Sequence, residues 1–284
     1  MSPVFSHLML GTVQFGMNYG VANVTGKPSY ETVKAILKEA YDSGVTALDT
    51  APEYGDSEEV IGRALKELGL SDRFAVVTKI PTLPEAGDPE EFMKTSLENS
   101  LNRLGIPRAA AVLLHTEKDC IYLDVLKTMC ARGLTERAGI SLNTLKYKDA
   151  GSSADCLQIP CSLLDHRFDS CFGKGERLCF IRGAYLQGML LMPQEKIPFP
   201  EIREKRRRLE NLGIPMAELA LRYLAGKKGP KCILTGVETL EQLRENIRLS
   251  QLPPLSAEET AAVEEIVLPP LDEALVSPWM WNRK

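Results

Sequence analysis

Short apolar runs alternate along the chain with longer segments whose apolar residues recur at helical spacing. Eight runs read as strands: Leu8 to Gly11, Thr46 to Asp49, Phe74 to Lys79, Ala111 to His115, Arg137 to Ile140, Cys156 to Ile159, Cys179 to Arg182 and Cys232 to Thr235. Between them the pattern predicts helices over Ser29 to Ser43, Ser57 to Leu68, Pro89 to Leu104, Tyr122 to Ala131, Asn143 to Ala150, Ile202 to Leu224 and Thr239 to Leu249. Strands alternating with amphipathic helices build a parallel sheet with crossover helices.

The end signals agree with the periodicity. Ser29 with Thr32 opens the first helix, Val33, Ile36, Leu37, Ala40 and Tyr41 form its apolar face, and Gly44 ends it. Ser57 reads as the cap of the second helix, with Glu58 and Glu59 at its positive end and Gly69 at its close. The weakest segments are the fifth helix and Asp165 to Glu176, where Gly173 and Gly175 suggest irregular chain, so a break is expected there first.

Eight such units without a solenoid repeat or a Pro/Gly/Ser-rich linker predict an α/β fold, a (β/α)₈ TIM barrel spanning 1–284 as one domain. Residues 250–284 add a helix over Ser256 to Ile266 and the tail LPPLDEALVSPWMWNRK, expected to pack on the barrel or reach over its mouth.

Composition narrows the partners. A formal net charge of −4 argues against nucleic acid or an anionic membrane. The one dense basic run, Glu204 to Arg208, lies beside Ile202, Leu209 and Leu212 and reads as a solvated helix face. The N-terminus lacks the apolar core of a signal peptide and no stretch nears the length of a membrane span, so a cytoplasmic protein is expected. The seven cysteines are scattered without a C-x-x-C pair and read as reduced, packed thiols. Oligomeric state is not readable.

In an α/β barrel, chemistry gathers at the C-terminal ends of the strands. The second strand ends in Asp49 and runs into LDTAPEYG, the third ends in Lys79, and the fourth ends in His115. Taken singly, these residues read as a helix cap, a solvated lysine and a structural histidine. Taken together with Tyr54, they bring a carboxylate, an ammonium, an imidazole and a phenol to one mouth. A neighbouring ammonium favours phenolate, so Lys79 is expected to lower the Tyr54 pKa from its ordinary value near ~10. Asp49 would hold Lys79, His115 would hydrogen-bond a substrate oxygen, and Tyr54 would transfer a proton.

These residues resemble the aldo-keto reductase family, whose D-T-A-x-x-Y-G-x-S-E motif stands here as DTAPEYGDSE and whose Asp, Tyr, Lys and His tetrad matches Asp49, Tyr54, Lys79 and His115. The likeness runs from LGTVQFG at the first strand, where Thr12 is implied to contact the cofactor, to GVETLEQLRENI at the eighth helix. It implies an NAD(P)H-dependent oxidoreductase acting on a small-molecule carbonyl. It also implies that Ser141 and Gln158 meet the nicotinamide carboxamide, although Leu142 here separates Ser141 from Asn143. Arg182 occupies a place where the family often stacks an aromatic on the nicotinamide; a guanidinium plane stacks as well, and a buried salt bridge is the other role.

Gly236, Thr239, Gln242, Glu245 and Asn246 match the family's adenosine-end signature. Many NADPH-preferring members carry a basic residue in this turn, where Glu238 stands here. Glu238 favours the ribose hydroxyl of NADH, whereas Lys227, Lys228, Lys231 or Arg244 would serve a 2′-phosphate; family frequency places NADPH slightly ahead. Substrate contacts are expected from Gln14, Tyr19, Trp279 and Trp281. The opening LGTVQFGMNYGVAN resembles a bacterial subgroup linked to sugar metabolism, which implies a sugar-derived carbonyl. A metal-dependent barrel is the first rival, but the sequence holds only His7, His115 and His166, without a His-x-His pair. A dinucleotide-binding, redox-sensing protein with little turnover is the second.

Overall fold

The computed structural model describes residues 4–281. Its centre is a closed barrel of eight parallel strands in the order β1-β2-β3-β4-β5-β6-β7-β8. These are β1 Leu8–Gly11, β2 Ala47–Asp49, β3 Ala75–Ile80, β4 Ala111–Leu114, β5 Ala138–Ser141, β6 Cys156–Pro160, β7 Leu178–Arg182 and β8 Lys231–Gly236. Closure is sealed by β1 against β8, with Gly11 beside Gly236.

The helices are α1 Val13–Gly16, α2 Tyr30–Asp42, α3 Ser57–Leu68, α4 Pro89–Leu104, α5 Leu123–Ala131, α6 Pro200–Glu210, α7 Met216–Ala225, α8 Leu240–Ser250, α9 Ala257–Val267 and α10 Glu273–Val276. Ser29 caps α2 through its Oγ on the Thr32 amide, and Gly69 ends α3 in the left-handed region. Outward strand residues such as Leu10, Leu48, Val76, Ile140 and Ile159 pack under the helices.

Three expectations change. The residue capping α3 is Asp56, which makes no side-chain cap bond, and the Ser57 hydroxyl serves the mouth instead. The expected helix over Asn143 to Ala150 is two 3₁₀ turns, Leu145–Tyr147 and Asp149–Ser153, because the segment offers no sustained apolar face. The expected helix from Ile202 to Leu224 is split into α6 and α7, since Gly213 takes φ 72° and Pro215 follows it. The stretch from Asp165 to Glu176 is irregular apart from the 3₁₀ turn Asp169–Cys171, yet the barrel stays closed there. The C-terminal addition is α9, opened by a Ser256–Glu259 capping box, then α10 and the turn Pro278–Met280. No helix among the described residues is long and apolar enough to cross a membrane.

Candidate active site

Alternation along each strand decides what the barrel interior holds, because residues two apart share a face. Met9, Ala47, Val77, Phe180, Cys232 and Leu234 form an apolar inner plug. The same parity carried to the C-terminal end places Gly11, Asp49, Lys79, Ser141, Gln158, Arg182 and Gly236 in the inward top layer, with His115 one residue past β4. The inner face thus turns from apolar to polar within one step of each strand.

Lys79, 1% exposed, donates from Nζ to Asp49 Oδ1 at 2.8 Å and to the Thr50 carbonyl at 2.8 Å. Gln158 Nε2 donates to the same Asp49 oxygen at 2.7 Å, and Ser141 Oγ donates to Gln158 Oε1 at 3.2 Å. One carboxylate therefore anchors a chain of four side chains across β2, β3, β5 and β6. Above it, the Tyr54 ring lies 4.7 Å from Lys79 Nζ, and His115 meets that ring edge-on at 5.8 Å.

Tyr54 is placed by backbone contact. A Cβ on Gly16 would fall inside the Tyr54 carbonyl oxygen, and one on Gly55, whose φ is 60°, would lie 2.5 Å from the Gly16 oxygen. Two glycines thus let the β1 and β2 loops touch. Ser57 Oγ donates to the Thr12 carbonyl at 2.9 Å, and Glu58, 2% exposed, accepts from Thr78 Oγ1 at 2.6 Å and from Arg103 Nη2 at 2.7 Å. The polar letters of DTAPEYGDSE after Tyr54 fix the loop that carries it.

The electrostatics differ from the expectation at Tyr54. Loss of hydration pushes the phenol above its ordinary value, and the Lys79 ammonium only partly opposes this. Burial works against the Lys79 charge, but Asp49 and Tyr54 together raise its pKa. His115 is pushed down to about 3 by burial and by the charges of Lys79 and Arg182. The half-exposed Glu53 carboxylate lies close to His115 Nδ1, at the solvent side of the imidazole.

On the β8 side, Gly11 and Gly236 leave the rim without side chains, and Gln14 lies over Gly236 with its buried Oε1 unpartnered. Thr239 caps α8 through the Gln242 amide at 3.2 Å, and Gln242 Oε1 accepts the Glu238 amide at 2.7 Å. Thr12 is fully buried, its hydroxyl held by the Asp49 carbonyl and Ser57, so it supports the rim from beneath. Asn246 is 6% exposed and accepts from the Tyr185 hydroxyl at 2.8 Å, while Glu245 pairs with Arg248 on the helix surface. Of the cations considered for a 2′-phosphate, Lys227, Lys228 and Lys231 lie where the chain enters β8, at the end of the barrel opposite Gly236. Arg244 is engaged by Glu39 of α2.

The aldo/keto reductase family model matches residues 7–172 and 199–268. The chain belongs to that family. It is 26% identical over 279 residues to D-arabinose 1-dehydrogenase of Saccharomyces cerevisiae, a match covering 84% of this chain and 81% of the relative. It is 27% identical over 157 residues to Aldo-keto reductase YhdN of Bacillus subtilis, covering 50% of this chain and 46% of that protein. Among solved structures, an aldo/keto reductase from Klebsiella pneumoniae in complex with NADP and acetate superposes with a TM-score of 0.73 at 22% identity, over 94% of this chain and 93% of that one. The protein is an NAD(P)H-dependent oxidoreductase.

The rest of this reductase's mouth is built by loops. Tyr19 accepts from Gln187 Nε2 at 2.9 Å, in a turn where Leu186 and Gln187 both take positive φ. A cavity of about 950 Å³ opens beside Tyr19, lined also by Val21, Met189, Phe199, Leu275 and Trp281. Trp279 stands 5.6 Å from the Arg167 guanidinium and 5.9 Å from that of Arg182. Among the described residues Arg182 makes no salt bridge, which corrects one of its two expected roles: its Nη2 donates to the Leu142 carbonyl at 2.8 Å and to Asn143 Oδ1. Sequence reasoning missed Glu53, whose partner His115 is remote in the chain. It also missed Glu117, which accepts the Asn143 and Thr144 amides and so sets the loop holding Arg182.

Proposed function

We propose that this aldo/keto reductase reduces an aldehyde or ketone to an alcohol, with Tyr54 as the proton donor. The Asp49–Lys79 ion pair beneath the Tyr54 ring carries the reading, because it keeps an ammonium beside the phenol without leaving that charge unpaired. A bound nicotinamide dinucleotide supplies the hydride for the carbonyl carbon. The donor set fits such a group: amide and hydroxyl groups at Gln158 and Ser141, a glycine rim at Gly11 and Gly236, an orphaned Gln14 oxygen, and the positive N-terminal end of α8.

Tyr54 gives its proton to the carbonyl oxygen as negative charge develops there, and Lys79 stabilises the phenolate that remains. Asp49 is a positioning residue, holding Lys79 and Gln158 through one oxygen. A neutral His115 stands edge-on to the Tyr54 ring, where its imidazole can hydrogen-bond a substrate oxygen. NADH suits Glu238 better than NADPH, since its carboxylate would face the added phosphate and three of the four candidate lysines and arginines lie at the far rim. A sugar-derived carbonyl remains in the proposal, and one relative is named for acting on arabinose.

The test is Tyr54→Phe. Titrating the variant with NADH and NADPH should give wild-type affinities with NADH ahead, while aldehyde turnover falls by about 10²- to 10⁴-fold. Wild-type turnover in the variant removes Tyr54 from the proton step, and tight dinucleotide binding without any turnover in the wild type favours a redox-sensing role.

A further inference from the structure

We propose, resting on the reductase reading above, that the carbonyl substrate carries a carboxylate and that the edge of the Arg182 guanidinium binds it. Two other cations at this mouth, the buried Lys79 and the half-buried Arg167, have anionic partners. Lys79 holds Asp49 at 2.8 Å, and Arg167 holds Asp165 at 2.8 Å and Glu273 at 2.5 Å. Arg182 stands apart, because its protein acceptors are a carbonyl and an amide oxygen, both neutral and both on Nη2. Among the described residues no carboxylate lies within ion-pair distance of it, and Nε and Nη1 have no acceptor. The guanidinium is half-buried, and its two donors without protein acceptors are open to a ligand anion.

The position suits a substrate. Arg182 is inward-facing at the end of β7, close enough that its charge acts on His115 and that Tyr54 and Tyr19 act on it. A carbonyl held at Tyr54 can therefore place a carboxylate a few bonds away against the fork, where two parallel N–H donors match the two oxygens. Stacking on a ring uses the face of the guanidinium and leaves this edge free. One uncompensated positive charge suits a monoanion. A phosphate dianion would want a second cation, but Lys79 and Arg167 are already neutralised and Glu53 adds negative charge at the rim.

The test compares two aldehydes of nearly the same shape, 4-carboxybenzaldehyde and its neutral amide 4-carbamoylbenzaldehyde. In the wild type kcat/KM should favour the acid by about tenfold or more, as charge-assisted bonds do. In Arg182→Gln the ratio should fall to about one, and Arg182→Lys should restore part of it. Taking the ratio within each variant cancels any common loss of folding or cofactor affinity. A wild-type ratio at or below one, or the same ratio in Arg182→Gln, overturns the assignment. Failure of the wild type to turn over either aldehyde would instead strike the reductase reading. In that case benzoate and benzamide titrated against tryptophan emission decide the carboxylate site, with benzoate alone expected to shift it and only when Arg182 is present.

Discussion

Lys79, near the end of β3, and His115, just past β4, sit in one mouth, yet they carry opposite protonation. Lys79 stays charged because Asp49 and Tyr54 outweigh its burial, and His115 stays neutral because burial and two nearby cations push it down to about 3. Tyr54 is raised above the ordinary tyrosine value, so at neutral pH it is a phenol with a proton to give. The sign follows for the reduction rate. As pH rises, the protonated fraction of Tyr54 falls only once its raised pKa is passed, so kcat/KM should hold level through neutrality and decline only above about 10. His115 should add no limb near 6.5. A pH–rate profile from 5.5 upward with a neutral aldehyde checks this, and an acidic limb centred near 6.5 would show that the Glu53 contact controls His115 after all.

At the scale of elements, Tyr54 depends on two loops meeting backbone to backbone. Gly16 ends α1 and touches the Tyr54 carbonyl and the Ser57 amide, neither of which can rotate away as a side chain can. Gly16→Ala should therefore cost about 1–3 kcal/mol, seen as a lower thermal midpoint, and should reduce turnover more than dinucleotide affinity because it displaces Tyr54, the proposed proton donor. Equal stability with equal turnover would mean that the loops part without consequence. The strand ends were legible because a polar residue closes an apolar run at Asp49, Lys79 and His115, and the barrel followed from the count of such runs. Ser57 misled because a hydroxyl beside a helix start looks the same whether it caps or bridges loops. The Gly213-to-Pro215 break was visible as letters but was hidden by apolar residues on both sides. The Glu53–His115 contact and the remoteness of Lys227, Lys228 and Lys231 from Glu238 depend on which end of the barrel each segment reaches. Reading strand direction along the chain would have given the second of these.

For the molecule as a whole, the barrel and its C-terminal addition are held by different amounts of contact. Eight parallel pairings close the barrel around fully buried side chains. The tail after α9 docks through Glu273 on Arg167, Val276 in the core, Trp281 against Phe199, and Trp279, which is 44% exposed beside two guanidinium groups. Trp279 and Trp281 are also the chain's only tryptophans, so its tryptophan emission reports on this tail alone. Few buried contacts mean a low local opening free energy. In a urea titration the emission should therefore shift to the red before the far-UV circular dichroism is lost, and Glu273→Gln should lower the midpoint of the first transition while leaving the second in place. Coincident midpoints in the wild type would make the tail part of the cooperative unit of the barrel. A tail that opens first would bare Arg182 and the cavity beside Tyr19 while the Asp49–Lys79 pair stays buried, separating access to the mouth from the integrity of its chemistry.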